Sequence, residues 1–219
     1  RLNEIGIKKK IYVVGAPALE NMEKNNLPNF SDVLNKFNIK LDSRKKTIVG
    51  CFHPETNIDI KENIKNLKNF FSFIKKKNSN IIFTYPNADH GFDDYIKYIN
   101  SYLSDKKNCN IVKNLGIKNY YSVLKNSDVL IGNSSSGIIE SSSFKIPCVN
   151  LGNRQKNRFH AGNVIHSSFS IKDMQKTLDK ALSKKFNEKV KKINNPFYKK
   201  NTSDKIIETI YAHLKNKIN

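Results

Sequence analysis

The segment Gly132-Asn133-Ser134-Ser135-Ser136-Gly137 sets three hydroxyls between two glycines, directly after the apolar run Val129–Ile131. Hydroxyls donate to phosphate oxygens, and glycines let a backbone approach a ligand closely. Apolar residues resume at helical spacing in Ile138, Ile139 and Phe144. The loop would therefore open a helix whose free N–H groups attract an anion. Glu140 lies about one helical turn further on, where a carboxylate could accept from two vicinal hydroxyls such as those of a ribose. Arg154 and Arg158 are the close pair in a chain with four arginines, and a bidentate guanidinium suits a diphosphate. His53, in His53-Pro54-Glu55-Thr56, follows another apolar run and could donate to a phosphate or transfer a proton. Asn87, in Tyr85-Pro86-Asn87, follows a third and could touch the same ligand.

Each feature also has a plainer role. A serine-rich loop can simply cap a helix, an arginine pair can be solvated, a lone histidine can be structural, and Tyr85-Pro86-Asn87 can be a turn. Spacing alone fits both an anion site and a cap. Other phosphate and acyl chemistries are excluded more firmly. A P-loop needs Lys and Ser/Thr after its second glycine, where Ile138 and Ile139 stand. A nucleophile elbow needs glycine at the position of Ser136. His90 with Asp89 and Asp93 lacks a second ligand set, so neither a metal nor a cofactor is expected.

Short apolar runs alternate with amphipathic segments along the chain. The strands predicted are Ile11–Val14, Thr47–Phe52, Asn80–Tyr85, Asn110–Lys113, Val129–Ile131, Cys148–Leu151 and Asn163–Ile165. The helices predicted are Ile58–Lys77, a span through Tyr95, Ile99 and Tyr102, then Tyr121–Lys125, Ile138–Phe144 and Ile171–Leu182. A last amphipathic helix carries Ile206, Ile207, Ile210 and Leu214 after the stop signal Asn194-Asn195-Pro196. The segment Asn25–Arg44 reads as a helical linker. Strand runs that are continuously apolar belong in a sheet covered on both faces. The expected fold is α/β, a doubly wound parallel Rossmann-like sheet, with ligands at the carboxyl ends of its strands.

The bulk composition narrows the partners. A net charge of +20 would suit a nucleic-acid binder, but the positive charge is nearly all lysine spread among Asn and Ile, without a patch. The remaining consequence is a positive field that draws in small anions. No apolar stretch approaches the about 20 residues of a membrane helix, and no signal peptide is recognisable. The three cysteines form no C-x-x-C pair, and Cys51 and Cys148 sit in apolar runs. Buried free thiols and a cytoplasmic location are expected.

The string Ile131-Gly-Asn-Ser-Ser-Ser-Gly-Ile-Ile-Glu140, with Phe144, Ile146-Pro147 and Asn150-Leu-Gly-Asn-Arg154-Gln-Lys, resembles the UDP-N-acetylglucosamine 2-epimerase family. It is most similar to the hydrolysing branch that serves sialic and legionaminic acid synthesis. Phe52-His53-Pro54-x-Thr56, Tyr85-Pro86-Asn87 and Val13-Val14-Gly15-Ala16-Pro17 resemble further family segments in the same order. The resemblance implies the second domain of a GT-B-like two-domain fold, with substrate in the cleft between domains. Residues 1–42 would be a remnant of the first domain with its linker, 43–195 the UDP-binding domain, and 196–219 a helix crossing back. By the same resemblance His53, Asn87, Ser134, Ser135, Glu140 and Arg154 would contact UDP, and His53 would also be catalytic. The implied partners are a UDP-sugar, the missing N-terminal domain and, at full length, further copies of the chain. Lys145, Asn153 and Glu55 depart from the family pattern and bear on the choice of sugar. The competing expectations are a UDP-sugar-dependent GT-B glycosyltransferase and a non-catalytic nucleotide-sugar-binding module.

Overall fold

The computed structural model describes residues 4–7, 10–24, 27–86, 92–103 and 108–218. The chain divides into two compact units, Leu27–Pro196 and the pair of segments Arg1–Asn26 with Phe197–Asn219.

The larger unit holds strands β1 (Thr47–Cys51), β2 (Asn80–Thr84), β3 (Cys109–Val112), β4 (Val129–Gly132), β5 (Cys148–Leu151) and β6 (Val164–Ser167). Its helices are α2 (Phe30–Lys36), α3 (Ile60–Lys75), α4 (Phe92–Leu103), α5 (Ile117–Lys125), α6 (Ser136–Ile139), α7 (Ile171–Leu182) and α8 (Lys184–Lys191). The strands form one six-stranded sheet in the order β3-β2-β1-β4-β5-β6, and every neighbouring pair is parallel. This is a doubly wound sheet, as the continuously apolar strands predict. Ile48, Ile81, Phe83, Val129, Ile131, Val149 and Leu151 join the core formed with Leu67, Phe70 and Phe71 of α3, Tyr95 of α4 and Met174 of α7. Val49, Ile82 and Leu130 alternate to the opposite face and are buried too. Strand order reverses between β1 and β4, which opens a crevice at their carboxyl ends.

Local signals set the element ends. The Asp59 side chain accepts from Glu62 N at 2.8 Å and caps α3, and Ser170 caps α7 through Asp173 N. Two predicted elements differ. The helix expected over Ile138–Phe144 stops at Ile139, and a run of turns follows. Ser141 Oγ bonds back to Gly137 O, and Asn195 Nδ2 takes Ile139 O at 2.7 Å. Side chains thus satisfy the backbone that a longer helix would have used. Lys145 then turns the chain in the left-handed region at φ 58°.

The smaller unit pairs α1 (Pro17–Lys24) with α9 (Thr202–Ile218). The strand expected over Ile11–Val14 does not form. The Val13 and Val14 carbonyls are taken by Lys199 Nζ at 2.9 Å and Thr202 Oγ1 at 3.0 Å, leaving no ladder. Helix α1 was not foreseen, although Pro17 at its first position is a recognised start signal. Glu20 is buried and accepts from Ser203 N at 3.0 Å, which caps the first turn of α9.

Candidate functional site at the strand ends

A cavity of about 560 Å³ lies over the carboxyl ends of β1 to β4. Cys51 and His53 enter it from β1, Thr84 to Pro86 from β2, Lys113 to Ile117 from β3, and Ser134 and Ser136 from β4. Tyr120 of α5 completes the wall. The cavity therefore spans the switch point between β1 and β4, where such sheets hold ligands.

One residue ties its walls together. Asn133 is fully buried. Its Oδ1 accepts from His53 N at 2.7 Å and its Nδ2 donates to His53 O at 2.8 Å. Its own N–H donates to Cys51 O at 3.2 Å. Its carbonyl accepts from Arg154 Nη1 at 3.2 Å and from Gln155 Nε2 at 3.3 Å. Asn133 thus fixes the His53 backbone to the end of β4 and draws Arg154 onto the same loop. Close approach of the β1 and β4 ends requires glycine at 132. A Cβ there would stand 1.8 Å from Cys51 O, and φ is +146°.

A second anchor holds the loop that carries Arg154. Glu55 is buried, and its backbone is clamped by the Asn63 amide at 2.8 Å in both directions. Glu55 Oε1 accepts from Asn153 N at 3.1 Å. Arg154 is half-buried, whereas Arg158 is exposed, so the arginine pair divides into one residue held at the strand ends and one in solvent.

The sequence-predicted residues separate in position. His53 and Ser134 line the cavity, Arg154 does not line it but is bonded to the Asn133 carbonyl of the same loop, and Glu140 accepts at Oε2 from the cavity-lining Ser136 Oγ at 2.7 Å. Ser135 precedes α6, and its carbonyl accepts from Ile138 N and Ile139 N. Asn87 lies outside the described residues, as do Asp89 and His90. Helix α6 has four residues, so its dipole is small. The hydroxyls and Arg154 are left as the main groups for an anion. Among the described residues, no group of three or more His, Cys, Asp or Glu could hold a metal ion.

The electrostatics favour donors and one acceptor. Burial pushes the Cys51 thiol up, so it stays protonated 3.2 Å from His53 Nε2 and is no thiolate nucleophile. Burial likewise raises Tyr120 well above its ordinary value, keeping its hydroxyl a donor. Glu140 is raised by burial, against which the Ser136 and Tyr121 hydroxyls act by bonding its carboxylate. Asn133 organises the cavity's edge, and Tyr120 and the Lys113–Ile117 loop line it; sequence patterns alone did not single these positions out. Asn133 carried a signal as a polar residue directly after an apolar strand. Tyr120 carried none, because its partner lies 16 residues away.

The family model for UDP-N-acetylglucosamine 2-epimerase matches residues 1–211. The chain is 34% identical over 189 residues to a UDP-N,N'-diacetylbacillosamine 2-epimerase (hydrolyzing) of Legionella pneumophila, covering 84% of this chain and 48% of that one. It is 33% identical over 189 residues to a GDP/UDP-N,N'-diacetylbacillosamine 2-epimerase (hydrolyzing) of Campylobacter jejuni, covering 85% and 48%. The chain thus spans about half the length of these relatives. In structure it resembles the Methanocaldococcus jannaschii UDP-GlcNAc 2-epimerase solved with UDP-GlcNAc and UDP. The TM-score is 0.71 at 21% identity, over 96% of this chain and 57% of that one. That likeness establishes the fold.

Proposed function

The chain belongs to the UDP-N-acetylglucosamine 2-epimerase family, and from that premise we propose that it forms the UDP-binding half of a hydrolysing 2-epimerase. The observation that carries this reading is that one buried asparagine, Asn133, bonds both the His53 backbone and Arg154 at the β1/β4 switch point, next to the cavity-lining Ser134. Ser134, Ser135 and Arg154 hold the diphosphate, Glu140 accepts from the ribose diol, and Asn87 completes the nucleotide contacts. We assign the uracil ring to the wall from Lys113 to Ile117, which lines the same cavity.

The reaction begins with loss of the C2 proton to a base, as the C1–O bond breaks and UDP departs with the electron pair. Water then adds its oxygen to C1 of the resulting glycal and a proton returns to C2, giving the free 2-epimer. Charge builds on the departing diphosphate, and preformed donors aimed at that charge lower the barrier. To His53, which lines the cavity, we assign a further donor or proton for that charge. The C2 base belongs to a preceding domain, a proposal supported by relatives about twice as long as this chain. The substrate is UDP-N-acetylglucosamine or a diacetamido relative, the complete enzyme is a homo-oligomer, and free thiols suit a cytoplasmic setting.

The test uses the complete protein with UDP-N-acetylglucosamine and with a UDP-diacetamido sugar, followed by proton and phosphorus NMR. Release of UDP with a free 2-epimer is expected from one of them. Release from neither contradicts the hydrolysing assignment.

A further inference from the structure

We infer that Tyr120 is a positioning residue that selects ribose over deoxyribose, acting through Ser136 on the Glu140 carboxylate. The inference rests on the nucleotide reading above. Tyr120 OH and Ser136 Oγ are 2.8 Å apart, and Ser136 Oγ donates to Glu140 Oε2 at 2.7 Å. A serine hydroxyl carries one proton. Because that proton is spent on the carboxylate, the bond between the two hydroxyls has one direction, with Tyr120 donating to Ser136. The relay therefore runs Tyr120 to Ser136 to Glu140, and each donor polarises the next. Tyr120 and Ser136 both line the cavity, and Ser136 is only 8% exposed.

The relay holds the carboxylate from the cavity side. The Tyr121 hydroxyl also bonds it, and Tyr121 is itself buried against Phe144, with ring centroids 5.2 Å apart. A carboxylate gripped in this way keeps one orientation while offering its remaining lone pairs to a ligand. A ligand that presents a vicinal diol gains from that fixed geometry, and one lacking a hydroxyl does not.

The experiment is a calorimetric titration of the complete protein with UDP, 2'-deoxy-UDP and inorganic pyrophosphate, in wild type, Tyr120→Phe, Glu140→Gln and the double variant. Wild type should prefer UDP over 2'-deoxy-UDP by at least about tenfold, the low end for a hydrogen bond to a charged group. Tyr120→Phe should cut that preference about threefold or more, the scale of one neutral hydrogen bond, with pyrophosphate affinity unchanged. In the Glu140→Gln background Tyr120→Phe should have no further effect on the preference. An unchanged preference in Tyr120→Phe overturns the inference, as does an equal loss of pyrophosphate affinity, which would make Tyr120 merely structural. Equal wild-type binding of UDP and 2'-deoxy-UDP overturns the relay but leaves the nucleotide site standing. Binding of neither nucleotide overturns both.

Discussion

Glu140 and Arg154 make opposite demands on the fold, and substitutions should separate them. Burial raises Glu140, so between its ordinary and its raised value the folded chain holds a proton that the unfolded chain has lost. Stability on this account falls as pH rises through that window, and at neutral pH the buried charge is a net cost. Glu140→Gln should therefore raise the melting temperature at neutral pH, shrink that gain as pH drops below the ordinary carboxylate range, and weaken UDP binding. A fall in melting temperature at neutral pH would contradict this. Arg154 should cost affinity alone. Its guanidinium is anchored at one nitrogen on Asn133 O, and Arg154→Ala should weaken UDP by on the order of 1.5–3 kcal/mol, measured by calorimetry. Asn133→Ala is the structural counterpart. It removes the two Asn133 bonds to the buried His53 backbone, and a loss of about 2–4 kcal/mol in denaturant titration is expected. The strand-end positions of the serine loop, Arg154 and His53 were legible in the sequence because each follows an apolar run that had to be a strand, and Glu140 was legible as lying about a turn past the loop. The hub role of Asn133 was not legible, since a pattern of types does not say which polar side chain turns inward.

At the scale of elements, strands were read more easily than helices. The runs at 47–51, 80–84 and 148–151 are apolar on both faces, and only a sheet covered on both sides buries them. The helix after the serine loop was overread. Ile138, Ile139 and Phe144 keep helical spacing, but Ser141, Asn163 and Asn195 supply competing bonds that end α6 after four residues. Valines at 13 and 14 suggested a strand, yet their carbonyls are claimed by Lys199 and Thr202, contacts that no local pattern reveals. The close approach of the β1 and β4 ends gives a sharp prediction at this scale. Gly132→Ala places a methyl group 1.8 Å from Cys51 O. It should cost about 4 kcal/mol or more, among the largest single-substitution losses, or shift the loop and abolish UDP binding. Circular dichroism melting and a UDP titration of the same sample check both outcomes, and a wild-type profile in each would contradict the packing described.

For the molecule as a whole, two features reach beyond the strand ends. Ile207, Ile210, Tyr211 and Leu214 of α9 are each at least half exposed, an apolar stripe on a helix that relatives of twice the length have more chain to cover. Under the proposed two-domain enzyme, Ile210→Asp with Leu214→Asp should lower turnover of the complete protein while leaving UDP affinity of the 219-residue chain unchanged. The net charge of +20 should make UDP association faster at low salt and slower as salt rises, because charge steers small anions and salt screens it. The central claim is that UDP occupies the β1/β4 switch point, gripped by residues that Asn133 gathers. Titration of the nitrogen-15-labelled complete protein with UDP, read by amide chemical shifts, tests it most directly. The account predicts saturable shifts concentrated at His53, Gly132 to Gly137, Leu115 to Ile117 and Arg154, all of them diminished in Arg154→Ala. Saturable shifts centred elsewhere, or none at millimolar UDP, would contradict it.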